Sequence, residues 1–179
     1  YGGGIKNIKT VEKIISLGVE KVSFGSVAFE QKDLIKKAVN YVGAQSVVIF
    51  LDYKKPFFSS DQYCFIKNGK INTAIKLEKA FKMFSSFGVG ELVIQSIERD
   101  GTRKGYDMKI YKKFIKNKDN VITLAGGAGT LEHFHEANLA LGPMGLAAGS
   151  FFVLHGIHEA VLLTYPTKEE KFNILKDLD

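Results

Sequence analysis

Ser46-Val47-Val48-Ile49-Phe50-Leu51-Asp52 is the stretch on which the fold turns. Five apolar residues in succession, two of them valine and one isoleucine, are too few for a helix and have no polar alternation. They fit a strand buried on both faces, as in a parallel sheet covered by helices. Runs of the same kind recur at Lys21 to Phe24, Glu91 to Ile97, Val121 to Ala125 and Gly145 to Gly149. Between them lie stripes with i, i+3, i+4 spacing: Val11, Ile14 and Ile15; Leu34, Ile35, Ala38 and Val39; Leu77, Ala80, Phe81 and Phe84; Ile110, Tyr111, Phe114 and Ile115; Leu131, Phe134, Ala137 and Leu141. Buried strands alternating with amphipathic helices predict an α/β fold of parallel βαβ units with right-handed crossovers. The exception is Tyr53 to Thr73, where Asn68-Gly69 between short apolar runs predicts a type I′ hairpin inserted after the second clear strand.

The 179 residues amount to about one domain and can bury a core without staples. Lys and Arg number 25 against 19 Asp and Glu, a net charge of +6. The basic residues are scattered as lysine pairs, which favours small anionic ligands over nucleic acid. A single cysteine, Cys64, excludes an intrachain disulfide framework and fits a reducing compartment. No apolar run reaches the length of a membrane span, and the start YGGGIKNIKT has no apolar signal core, so the expectation is a soluble, cytoplasmic protein.

The glycines carry more information by position than by number. At a shift of 124, Gly2-Gly3 falls on Gly126-Gly127, Gly18 on Gly142, and Gly25-Ser26 on Gly149-Ser150, without a gap. Each half reads as a glycine turn, an amphipathic helix, Gly, a strand, then Gly-Ser opening the next helical turn. Glycine lets backbone approach a ligand and free N–H groups at a helix start favour anions, so each half describes a phosphate cradle. Two cradles predict a duplicated architecture and a ligand with a phosphate at each end.

Asp52 places a carboxylate at the C-terminal end of a buried strand, where barrel enzymes keep their catalytic groups, and is a candidate general acid or base. Asp100-Gly101, after Ile97-Glu98-Arg99, offers a second carboxylate beside a flexible backbone donor. Lys21 and Glu91 stand at strand starts, the opposite end, where charges are ordinarily solvated or paired. His133 and His135 are two apart on a helix and face different ways; His155 and His158 lack a third ligand nearby, so no zinc pattern arises. Cys64 lies in the hairpin, with no context for a catalytic thiol.

Together these residues resemble the cyclase subunit of imidazole glycerol phosphate synthase. The resemblance rests on Tyr1-Gly2-Gly3-Gly4-Ile5, Lys21-Val22-Ser23, Ser46 through Asp52, Ser96-Ile97-Glu98-Arg99-Asp100-Gly101-Thr102 with Gly105-Tyr106-Asp107, and Gly126-Gly127-Ala128-Gly129 with Glu132-His133-Phe134, in order from Tyr1 to about Phe152. It implies a (βα)8 TIM barrel made of two half-barrels, of which the end of strand 3 through strand 8 is present, as one partial barrel domain over residues 1–179. It implies ammonia supplied by a glutaminase subunit docked on the bottom face, and closure of the bis-phosphorylated substrate PRFAR to imidazole glycerol phosphate and aminoimidazole carboxamide ribotide, without a cofactor or metal. Of the family's two catalytic aspartates one matches Asp52; the other belongs to the first strand, which this sequence does not contain. Phosphate contacts map to Gly4, Gly25 and Ser26 on one side and to Gly101, Gly127, Gly149 and Ser150 on the other; Lys21 and Glu91 match gate residues at the ammonia entrance.

This sequence departs from the family at Gly25, usually Asn; Glu98, usually Asp; Gln95, usually Thr; and Ala125, usually Ser. The tail Phe151 to Pro166 is similar to a paralogous branch associated with surface-glycan (lipopolysaccharide) biosynthesis, in which the subunits feed ammonia to a separate amidotransferase that makes acetamidino sugars. A barrel of about 250 residues exceeds this chain by about 70. The expectation is therefore a piece lacking the first two βα units, inactive alone, with two unpaired sheet edges that promote association.

Overall fold

The computed structural model describes residues 1–114, 120–142, 144–155 and 160–175. Ile115 and His158, raised above, lie outside them. The chain divides into two compact units, Tyr1–Ile94 with Lys118–Ile122, and Gln95–Asn117 with Thr123–Asp179.

The first unit opens on α1 (Ile8–Ser16), whose start is fixed by Asn7: its Oδ1 accepts from the Thr10 amide at 3.0 Å and the Thr10 hydroxyl at 3.1 Å. This is an N-cap, supplying an acceptor to one of the amides that has no partner within the helix. Val11 and Ile14 are buried, and the helix stops at Leu17-Gly18, with Gly18 at φ +87°. β1 (Val22–Phe24) follows, then the short α2 (Ser26–Glu30) and α3 (Lys32–Val42), which buries Leu34, Ile35 and Ala38. β2 (Val47–Lys54) pairs parallel with β1 in the register Ser23↔Val48. It runs three residues past Leu51 because its end pairs antiparallel with β3 (Tyr63–Ile66) at Tyr53↔Cys64.

β3 turns into β4 (Ile71–Lys76) through Lys67 to Lys70, with Asn68 at φ +57° and Gly69 at φ +77°. Positive φ at Asn68 and Gly69 is what a type I′ turn demands, so the hairpin turns at Asn-Gly as expected, but Lys67 also stands at φ +54° and the loop between the paired Ile66 and Ile71 is four residues long rather than two. α4 (Leu77–Ser86) then buries Leu77, Ala80, Phe81 and Phe84, and Phe84 meets Phe29 edge to face with centroids 5.2 Å apart. The strand order of this unit is β4-β3-β2-β5, with β1 also on β2 and β5 spanning Glu91–Ser96. The Tyr1–Gly4 segment adds one parallel bridge, Gly2↔Ser23, and the Ser23 amide donates to the Tyr1 carbonyl at 2.8 Å.

In the second unit β6 (Val121–Ala125), shared at its start with the first, pairs parallel with β7 (Gly145–Ala147) at Thr123↔Gly145 and Ala125↔Ala147. Gly145 is required there, because a Cβ would meet the Thr123 side chain. α5 (Met108–Tyr111) is a single turn: after it the Lys113 and Phe114 amides bond three residues back, which tightens the winding. α6 (Leu131–Leu141) buries Phe134, Ala137 and Leu141. Short α7 (Ser150–Val153), the two-residue strands β8 (Leu154–His155) and β9 (Ala160–Val161), and α8 (Lys168–Leu175) complete the chain. The architecture is α/β, and β1 with β2 and β6 with β7, each pair joined through helix, run parallel, as expected.

The repeat is visible in the backbone. Gly18 and Gly142 end α1 and α6 at φ +87° and +81°, β1 and β7 follow, and Gly25 and Gly149 precede α2 and α7 at φ −105° and −106°. No helix of the described residues is long and apolar enough to cross a membrane.

Candidate functional site

In the first unit Asp52 stands on β2 just before the residues that pair with the hairpin, and the hairpin in turn bonds to the Gly25-Ser26 turn. Side chains alternate along a strand, so Asp52 shares its sheet face with Val48, the register partner of Ser23. Asp52 is half-buried, its Oδ1 withdrawn from solvent. Cys64 is fully buried. Burial, with the negative charge of Asp52 added to it, pushes the Cys64 thiol up to about 12. The thiol is therefore neutral and unreactive at physiological pH, in keeping with a packing role.

Ser26 begins α2, and its Oγ accepts the Lys67 amide at 2.9 Å. With one lone pair so engaged, the hydroxyl proton remains to be donated elsewhere. Lys67 Nζ pairs with Glu30 at 2.7 Å, and Lys54 Nζ donates to the Gly69 carbonyl at 3.3 Å. The hairpin turn is thus tied both to α2 and to the strand bearing Asp52. Lys54 and Lys67 escape a reading of the sequence, because their partners lie 15 and 41 residues away and no local pattern marks them. Around Gly4 and Gly25 a Cβ would meet nothing within 4 Å, so both leave backbone open to a ligand. At the other ends of the strands, Lys21 Nζ and Glu91 Oε2 form an ion pair at 2.8 Å, with the Glu91 side chain the more buried.

The second unit brings Asp100, Gly101, Gly127, Gly149 and Ser150 onto the turns after β5, β6 and β7. Asp100 is exposed and accepts from Gln95 Nε2 at 3.3 Å. Gly101 and Gly149 have open space where a Cβ would be, whereas a Cβ on Gly127 would collide with the Gly105 carbonyl. Gly127 stands at φ +109°, and its carbonyl accepts the Gly105 amide at 2.9 Å. Close packing of two loops explains this glycine by itself, while Gly101 and Gly149 are the ones that leave room. His133 Nδ1 accepts the Gly129 amide at 3.1 Å, and His135 Nδ1 lies 3.1 Å from the Ile174 carbonyl, so the two rings do face different ways. Among the described residues no three His, Cys, Asp or Glu side chains gather as a metal centre.

The model of the family described as histidine biosynthesis protein matches residues 1–158. A putative imidazole glycerol phosphate synthase subunit HisF from Leptospira interrogans is 43% identical over 171 residues, covering 96% of this chain and 67% of the relative. The chain belongs to the HisF family. A second relative, the putative imidazole glycerol phosphate synthase subunit hisF2 of Pseudomonas aeruginosa, is 38% identical over 93% of this chain and 66% of its own length. The imidazole glycerol phosphate synthase subunit HisF of Saccharolobus solfataricus is 38% identical over 84% and 59%. The chain thus spans about two thirds, or somewhat less, of the length of the HisF relatives it matches.

Proposed function

We propose that this HisF-family chain is a cyclase-type subunit, a lyase, of a glutamine-dependent imidazole glycerol phosphate synthase. In this reading β1, β2, β5, β6 and β7 are strands 4 to 8 of one (βα)8 barrel domain, and Tyr1–Gly4 ends strand 3. One phosphate of PRFAR is assigned to Gly4, Gly25 and Ser26 and the other to Gly101, Gly127, Gly149 and Ser150. Asp52 serves as general acid or base, and Asp100 orients a substrate hydroxyl or assists in proton transfer. Ammonia from a glutaminase subunit on the opposite face enters past the Lys21–Glu91 pair. The observation that carries the reading is the placement of Asp52: a half-buried carboxylate among the last three residues of β2, on a strand tied through the hairpin to the Ser26 turn. A proton-transfer group so placed contributes roughly 10²–10⁴ in rate.

A second reading is favoured by the departures at Gly25, Gln95, Glu98 and Ala125, which the family resemblance assigns to the substrate side. Here the barrel binds a phosphorylated ligand and conducts ammonia to an amidotransferase making acetamidino sugars for surface glycans. The two are separated by purifying the full-length protein with its glutaminase and comparing two products. Aminoimidazole carboxamide ribotide from PRFAR supports the cyclase. Sugar amidination that survives Asp52→Asn, with no ribotide formed, supports the conduit and sinks the cyclase.

A further inference from the structure

We propose that Arg99 is a positioning residue for the second phosphate cradle: its guanidinium holds the Gly105 peptide, and through it the turn at Gly127, in the geometry that binds phosphate. The inference rests on the reading of Gly101, Gly127, Gly149 and Ser150 as that cradle. Arg99 is half-buried and donates from Nη1 to the Gly105 carbonyl at 3.0 Å. The same peptide's neighbour bond runs the other way, from the Gly105 amide to the Gly127 carbonyl at 2.9 Å. Gly105 is therefore held on both sides, by Arg99 at its oxygen and by Gly127 at its nitrogen.

The contact is too close for any side chain on Gly127, whose Cβ would also sit 3.2 Å from the Arg99 Cβ. Arg99 is equally bound to the turn that follows it: its carbonyl accepts the Thr102 amide at 3.0 Å and the Thr102 hydroxyl at 2.7 Å. That turn contains Asp100 and Gly101, so one arginine joins the turn after β5 to the turn after β6. A guanidinium carries a fixed fork of donors and cannot lose its charge, which suits it to pinning a carbonyl where a lysine ammonium on its flexible stem would wander. A charge-assisted bond of this kind is among the stronger ones in a protein. Neither the ligand nor a reacting atom need touch Arg99 for its removal to be felt.

The test titrates the full-length protein with inorganic phosphate while following backbone amides by NMR, in wild type, Arg99→Met and Arg99→Lys. In wild type the Gly127 and Gly149 amides shift on titration. Arg99→Met weakens binding there about tenfold, the loss expected for a charge-assisted hydrogen bond, and leaves the Gly25 and Ser26 titration unchanged. Hydrogen exchange of the Gly105 amide accelerates, and Arg99→Lys is intermediate on both measures, which carries the test if the methionine variant does not fold. Wild-type shifts with unaltered affinity and Gly105 exchange in both variants overturn the proposal alone. Equal weakening at both cradles also overturns it, since that marks a general loss of structure. Absence of any wild-type shift at Gly127 and Gly149 overturns the cradle reading and this proposal with it.

Discussion

Gly127 and Gly149 stand at the ends of neighbouring strands, and their surroundings assign them opposite reasons for being glycine. Gly127 has φ +109° and a carbonyl where its side chain would go. Gly149 has φ −106° and nothing within 4 Å. Gly127→Ala is expected to cost about 2 kcal/mol or more, from left-handed backbone strain together with the forced parting of two loops. Gly149→Ala should leave stability within about 0.5 kcal/mol and, if Gly149 belongs to the proposed cradle, weaken phosphate binding, because the methyl fills space that is open in the wild type. Thermal denaturation and a phosphate titration of both variants check the contrast. A Gly149→Ala protein with unchanged phosphate affinity would remove Gly149 from the cradle. The sequence repeat marks both glycines alike, since spacing records that a Cβ is missing and not what would meet it.

At the scale of elements, the hairpin β3–β4 was legible where its chemistry is local and illegible where it is not. Asn68-Gly69 gives the turn from two residues, as only a pair tolerating positive φ can make it. The docking of that turn onto α2 through Lys67, Ser26 and Glu30 depends on residues far apart in the chain. Gly69→Ala forces an L-residue into φ +77° and should destabilise the turn by about 1–2 kcal/mol. Faster amide exchange at Lys67 would report it, and unchanged exchange would show that the turn does not hold Ser26. β6 is read from sequence to the residue, whereas α5 is overestimated: the stripe Ile110, Tyr111, Phe114 continues, but the backbone tightens after Tyr111. Periodicity reports which side chains are buried, and buried side chains at that spacing do not by themselves keep a helix winding. The tail after α7 has neither strong period nor turn signal, and β8, β9 and α8 were not legible in it.

For the whole molecule, burial of ionisable groups sets how stability responds to alkali. The Cys64 thiol rises from an ordinary value near 9 to about 12, and the Tyr111 phenol from 10 to about 12, in both cases chiefly through desolvation; Tyr106 moves in the same direction for the same reason. In the unfolded chain these groups release protons near their ordinary values, while the folded protein keeps them. The stabilisation is complete below about pH 9 and is lost progressively from there to about pH 12. The melting temperature should begin to fall near pH 9 in the wild type and nearer pH 10 in Cys64→Ala, where the buried tyrosines are the next of the described groups to act. The architecture, the paired glycine turns and the position of Asp52 are all legible in sequence, because each rests on a short pattern with a physical meaning. What those parts do together has a direct measurement: PRFAR and ammonium supplied to the full-length protein with the proposed glutaminase partner, with aminoimidazole carboxamide ribotide followed over time. Steady formation of the ribotide is expected, lost by roughly 10² or more in Asp52→Asn. No ribotide from a complex that still hydrolyses glutamine would contradict it.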